Sequence, residues 1–120
     1  GWASMDDSHY GPDGTVAADE YVAGRFHAAA RAWTREAGMT CFYFQAFDEP
    51  WKSDGTAGSE GHFGLITVDG RVKYALWDLV DAGIFEGLSR GGQPLVKTHE
   101  GDEAVLLEQL RTPVHLKFQP

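Results

Sequence analysis

The 120-residue sequence contains a single cysteine, so no disulfide can form within it. No apolar run is long enough to cross a membrane, and no signal peptide opens the chain. Lys and Arg total 10 against 18 Asp and Glu, which gives a formal net charge of −8 and leaves no basic cluster. These absences argue against a nucleic-acid surface and against an anionic membrane as partner. The first residue is Gly1 rather than methionine, which favours a processed or trimmed product.

Metal and phosphate motifs are also missing. The five histidines show no metal-ligand spacing, and the glycine-rich stretch at 55–61 does not lead from a strand into a helix. Cys41 has no adjacent partner and is interpreted as a small buried apolar residue rather than a nucleophile. We therefore expect no metal site and no cofactor.

What the chain does contain is enough apolar and aromatic material, 42% and 12%, for one packed domain. A first α/β unit is predicted from a helix capped by Thr15, ended by Gly38 and followed by a strand at Thr40–Phe47. The helix carries a row of apolar residues at helical spacing, in which Trp33 is expected to be core: Val22, Phe26, Ala29, Trp33 and Ala37.

A second unit follows. Phe63–Val68 is strand-like, Asp69-Gly70 predicts a tight turn, and Lys73–Ala82 predicts a short helix with Trp77 in the core. The composition changes at Leu88, and Ser89–Pro94 is typical of a linker. In the tail, a helix is predicted at Glu103–Leu110 and a strand at Val114–Phe118.

The strand at Thr40–Phe47 has an unusual face. Alternation places a phenol, an amide and a carboxylate on the same side as two apolar residues: Cys41, Tyr43, Gln45, Phe47 and Glu49. Such a face is expected of a wall that lines a polar cleft rather than a dry core. The strand then runs directly into Pro50-Trp51-Lys52.

This region resembles the end of the catalytic barrel of glycoside hydrolase family 17, the β-1,3-glucanases and β-1,3-glucan transglycosylases. The family carries a run similar to residues 44–52, Phe-Gln-Ala-Phe-Asp-Glu-Pro-Trp-Lys, and then an acidic residue before Phe63-Gly64-Leu65. Gly1-Trp2-Ala3-Ser4 is similar to the tail of the family's Glu-Thr-Gly-Trp-Pro-Ser signature on the seventh strand. Ala3 replaces the usual proline, and Gln45 replaces a common glutamate.

The resemblance implies an α/β fold made of the C-terminal β/α units of a (β/α)8 TIM barrel, from the end of strand 7 through helix 8. It assigns 1–87 to that barrel and leaves 88–120 as a linker and short C-terminal extension. It also implies that neither catalytic glutamate is present: the nucleophile precedes Gly1 by two residues, and the acid/base residue lies on the fourth strand. We therefore expect residues 1–120 alone to be inactive, since a retaining glycosidase needs both carboxyls.

The resemblance gives Glu49, Lys52 and Glu60 supporting roles in the cleft. A cation beside a nucleophilic carboxylate keeps that carboxylate ionised, and a second carboxylate orients the cation. The alternative for Glu49 and Lys52 is an ordinary ion pair at a strand–loop junction. For Glu60 the alternative is a solvated loop charge.

Five further residues are candidates for binding sugar: Trp2, Tyr43, Gln45, Trp51 and His62. The two tryptophans could stack on glucosyl rings, and the polar side chains could bond to hydroxyls. Core packing is the alternative for Trp2, Tyr43 and Trp51, and an ordinary loop position is the alternative for His62.

Three functions remain open at this point. The chain is part of a retaining β-1,3-glucan-active hydrolase or transglycosylase, a module that binds glucan without cutting it, or a half-barrel that assembles with itself or with a missing N-terminal part. The expected partner is a β-glucan, and the resemblance implies an extracytoplasmic location in the periplasm, in the cell wall or outside the cell.

Overall fold

The computed structural model of the chain describes residues 1–5, 18–53 and 58–110. Helices and short strands are mixed along it, and no helix in these ranges is long and apolar enough to cross a membrane. The helices are α1 (Glu20–Glu36), α2 (Trp77–Asp81) and α3 (Glu103–Glu108). The strands are β1 (Arg71–Val72), β2 (Ser89–Arg90), β3 (Gln93–Pro94) and β4 (Val96–Lys97).

Helix α1 has a capped start and a glycine stop. The Asp19 carboxylate accepts a hydrogen bond of 2.7 Å from the Val22 amide, which makes Asp19 the N-cap rather than a first-turn residue. Thr15, the predicted cap, lies outside the described residues. At the other end Gly38 takes a φ of +67°, so the predicted glycine stop is confirmed.

The buried face of α1 is not the one that the apolar row predicts. Trp33 is 63% exposed, so its predicted core position is wrong for the core that the described residues form, and Gly24 and His27 are the buried residues of the helix. The reason is a close approach of backbones. A Cβ on Gly24 would lie 2.6 Å from the Tyr74 ring and 3.1 Å from the Ala75 amide nitrogen. The glycine therefore decides which face the helix turns inward.

The predicted strand at Thr40–Phe47 bends at Phe44 and Ala46, and its described backbone pairing is short. The Gln45 amide donates to Phe63 O at 3.1 Å, Ile66 N donates to Ala46 O at 2.9 Å, and Phe47 forms a parallel bridge with Ile66. The prediction of a regular strand over these eight residues is wrong, because only Phe47 among them forms a β-bridge. These backbone hydrogen bonds to Phe63 and Ile66 hold in place the segment that leads into Glu49.

The turn predicted at Asp69-Gly70 is confirmed. Ile66 and Val72 face each other across an antiparallel bridge, and Gly70 has the φ of +89° that a tight turn requires. Strand β1 then pairs in parallel with β4, with Val72 opposite Lys97.

The region after β1 is helical, as predicted, although a 3₁₀ turn at Tyr74–Leu76 precedes α2. Trp77 is buried and donates its indole N–H to Val72 O at 3.0 Å, so its predicted core position is confirmed. A hydrogen bond also joins the start of α1 to the turn after β4. The Thr98 hydroxyl donates a hydrogen bond to the Glu20 carboxylate at 2.7 Å. Burial raises the pKa of Glu20, and this hydrogen bond partly opposes the rise.

The stretch at Ser89–Pro94 is not an unstructured linker. Strands β2 and β3 form an antiparallel hairpin there, and Gly91 and Gly92 both take positive φ values at its tip. The two glycines that suggest flexibility are the residues that make the turn possible. The tail helix is confirmed as α3, with Leu106 buried, whereas the strand predicted at Val114–Phe118 lies outside the described residues. The domain boundary near residue 88 stays a prediction.

Candidate functional site

A polar cluster forms where the segment 45–48 ends. A 3₁₀ turn at Pro50–Ser53 brings Lys52 back over Glu49, and the Lys52 amide donates to Glu49 O at 3.0 Å. The Lys52 ammonium forms an ion pair with Glu49 Oε2. The Gln45 side-chain amide donates to the same oxygen at 3.1 Å. Two predicted supporting residues, Glu49 and Lys52, and one predicted sugar-binding residue, Gln45, thus meet at a single carboxylate oxygen of Glu49.

The charges of this cluster stabilise one another. The hydrogen bond from Lys52 is the main cause that holds the pKa of Glu49 below its ordinary value, and the bond from Gln45 acts in the same direction. Because the ordinary pKa of a glutamate is already well below neutrality, Glu49 is ionised at neutral pH. An amide at position 45 gives Glu49 a donor, whereas a glutamate there would add a second negative charge.

Aromatic rings surround the cluster. The Lys52 ammonium lies 5.5 Å from the centroid of the Phe44 ring, which is a cation–π distance. Phe44 in turn meets Phe63 edge-on at 5.9 Å. Trp51 is 69% exposed, so its ring is free of the core and could stack on a sugar. Within the described residues Trp51 is thus not packed in the core.

Glu60 and His62 lie on the neighbouring loop. The Glu49 amide donates to Gly61 O at 3.0 Å, which ties the 3₁₀ turn Ser59–Gly61 to the cluster. The Glu60 side chain is exposed, and the His62 ring nitrogen Nδ1 lies 2.6 Å from Gly58 O within its own loop. The structure therefore brings the backbone of this loop to Glu49.

Trp2 and Tyr43 pack elsewhere, against α1. The Trp2 and Phe26 rings are 5.3 Å apart, and the Tyr43 ring meets His27 edge-on at 4.7 Å. Burial raises the pKa of the Tyr43 phenol, which is partly offset by contact with the Trp2 backbone. These two candidate sugar-binding residues thus belong to an aromatic cluster that anchors the N-terminal segment on the helix.

One feature of the site was not predicted from the sequence. Lys73 and Asp48 form an ion pair of 2.6 Å, with side chains only 5% and 6% exposed. Lys73 also donates to Ser4 Oγ at 2.8 Å, and Asp48 accepts from the Gly64 amide at 2.8 Å. Burial lowers the pKa of Lys73, while the Asp48 carboxylate opposes that shift. A lysine 25 residues from its partner leaves no signal in the sequence pattern.

Among residues 1–5, 18–53 and 58–110, no group of three or more histidine, cysteine or acidic side chains is placed to hold a metal ion. The chain matches no protein-family model. It does match single proteins. A glucan 1,3-beta-glucosidase of Arthroderma benhamiae is 36% identical over 81 residues, which is 62% of this chain and 25% of that protein. The protein of the same name from Candida albicans is 38% identical over 81 residues, 63% of this chain and 24% of its own length.

A solved structure agrees with these relatives. An endo-laminarinase from Formosa Hel1_33_131 superposes on 94% of this chain with a TM-score of 0.86 and 54% identity. The resemblance to the β-1,3-glucanases is confirmed. This β-1,3-glucanase-like chain covers about a quarter of the curated relatives and 29% of the laminarinase chain. The activity of the whole protein is therefore a matter of proposal.

Proposed function

We propose that the chain is part of a retaining glycoside hydrolase or transglycosylase of family 17 that acts on β-1,3-glucan. The observation that carries this proposal is the meeting of Gln45 and Lys52 at one carboxylate oxygen of Glu49, in a turn that also holds the exposed Trp51. The names of the relatives and of the laminarinase support the same substrate class.

In this proposal the barrel units are the end of strand 7, represented by residues 1–4, and the eighth β/α unit, which begins with the segment at 40–47. Carbohydrate chemistry sits at the C-terminal ends of barrel strands, which is the position of Glu49 and Lys52. Lys52 would stabilise negative charge on the nucleophile, and Glu49 would hold the lysine in place. Glu60 and His62 would line the cleft from the adjoining loop. The two catalytic glutamates would lie outside these 120 residues.

The test is hydrolysis by the intact protein. We expect it to release reducing sugar from laminarin and not from a soluble β-1,4-glucan. Subsites shaped for β-1,3-linked glucose would hold a β-1,4 bond out of line with the catalytic groups. Proton NMR of the first product should show the β-anomer, because a retaining enzyme keeps the configuration. Oligosaccharides longer than the substrate would identify transglycosylation. Cleavage of the β-1,4-glucan alone, or an α-anomer, would contradict the proposal.

Association is the second part of the proposal. Large apolar side chains stand exposed at two places: Phe42 is 95% exposed on the segment at 40–47, and Trp33 is largely exposed on α1. Surfaces of this kind are normally covered in a folded protein. In the intact protein the remaining barrel units would cover them, and an extracytoplasmic location would bring the enzyme to its polysaccharide.

Residues 1–120 produced alone are therefore expected to self-associate. Multi-angle light scattering over a tenfold range of concentration should show a mass that rises above that of one chain. Exchanging Trp33 and Phe42 for serine should lower the association, and the same change at Leu107, an exposed residue of α3, is the matched control. A monodisperse monomer at high concentration would refute this expectation.

A further inference from the structure

The buried ion pair of Lys73 and Asp48 adjoins the exposed cluster along the chain, because Asp48 directly precedes Glu49. Lys73 Nζ is 2.6 Å from Asp48 Oδ1, 2.8 Å from Ser4 Oγ and 3.5 Å from His62 O. Asp48 Oδ1 also receives the Gly64 amide at 2.8 Å. The pair therefore joins four separate parts of the chain: the N-terminal segment, the segment before the cluster, the loop after it, and the region after β1 that holds Lys73.

The backbone around Asp48 is held from several sides at once. The Asp48 amide donates to Ile66 O at 2.9 Å, and a Cβ on Gly64 would overlap the Asp48 backbone nitrogen. Glu49 follows by one peptide bond, and its side chain projects to the more exposed side. Any shift of Asp48 is therefore passed directly to Glu49.

The cluster itself cannot supply this rigidity. The side chains of Lys52 and Glu49 are 41% and 27% exposed, and an exposed ion pair of this kind holds its partners weakly. A cleft carboxylate needs a supporting shell that is buried and hydrogen-bonded. The geometry points to Lys73 as a positioning residue that, through Asp48, fixes the Glu49–Lys52 pair in the cleft. The kinetic consequence of this inference rests on the proposed function.

The experiment uses three variants of the intact protein. Lys73→Met removes the ammonium at similar volume. The double variant Asp48→Asn/Lys73→Met removes one charge of each sign, so it leaves no unpaired buried carboxylate and no change in net charge. Lys97→Met is the matched control, because Lys97 forms an ion pair of 2.7 Å with the largely exposed Asp81.

Two readouts are taken below the unfolding temperature of each variant. The first is kcat and KM on laminarin: we expect kcat of Lys73→Met to fall by about 10- to 100-fold with little change in KM, and the double variant to fall less. The second is titration of the Glu49 carboxyl by ¹³C NMR. Its pKa should move toward the ordinary value in both variants, because loss of the support loosens the contact with Lys52. The control should match the wild type in both.

Each result decides the inference. If the double variant keeps the wild-type kcat and the wild-type titration of Glu49, Lys73 only stabilises the fold and the inference is overturned. If Lys73→Met does not fold, the charge-balanced double variant gives the answer by itself. If the wild type does not cleave laminarin, the proposed function fails, and the titration of Glu49 still tests the positioning role.

Discussion

Residues 1–120 produced by themselves are expected to release no reducing sugar from laminarin. Retaining cleavage needs two carboxyls about 5–5.5 Å apart on either side of the scissile bond. In the family that the chain resembles, both of those carboxyls belong to parts of the barrel outside these residues. Glu49 is a single carboxyl, and a single carboxyl cannot supply both groups of the retaining pair.

The measurement is a reducing-sugar assay on material whose intact mass confirms the absence of longer chains. Heat-killed protein is the blank, and the intact protein is the positive control. Sugar release above the blank would show that a catalytic pair exists within these residues, and the assignment of Glu49 to a supporting role would then be wrong.

Glu49→Gln and Lys52→Met in the intact protein are each expected to lower kcat by about 10²–10³, with a much smaller effect on KM. In the proposed function both residues stand at the end of the segment that leads into the cleft, and their charges would act on the reacting carboxylate rather than on bound sugar. Because neither would contact the sugar, binding should be largely kept. Steady-state kinetics on a laminari-oligosaccharide of defined length measures the change.

The double variant sharpens this expectation. Because Lys52 and Glu49 act as a unit, losing both should cost less than the product of the two single losses. Gln45→Ala serves as an intermediate case: it removes one donor to Glu49 and leaves the ion pair in place. If either charge variant keeps near wild-type kcat, the pair is an ordinary ion pair on the surface.

Some parts of this structure could be predicted from the sequence because they depend on short-range chemistry. Gly38 and the Asp69-Gly70 turn were predicted because each needs a backbone conformation that few residues adopt, and both take positive φ. Trp77 was predicted because a large apolar ring at helical spacing rarely stays exposed. The cluster of Glu49 and Lys52 was expected from the resemblance to family 17, since local chemistry alone favours an ordinary ion pair there.

Contacts between residues far apart in the sequence could not be predicted from it. The row that contains Trp33 has ideal spacing, yet the close approach of Gly24 to Tyr74 turns another face of α1 inward. The partner of Asp48 lies 25 residues away, and no periodic pattern joins two single charges. The hairpin at β2 and β3 was read as a linker because glycine serves flexible and tightly turned segments alike.

The bond between Glu20 and Thr98 has a consequence for the order of synthesis. The two residues are 78 positions apart, so the partner of this carboxylate leaves the ribosome long after α1 has emerged. Until then α1 can dock only with the longer bond of 3.3 Å from the Tyr74 amide to offset the burial of this carboxylate. Translation thus delivers the helix first and Thr98 much later. A contact between residues so far apart in sequence forms slowly, because the loop between them must close first.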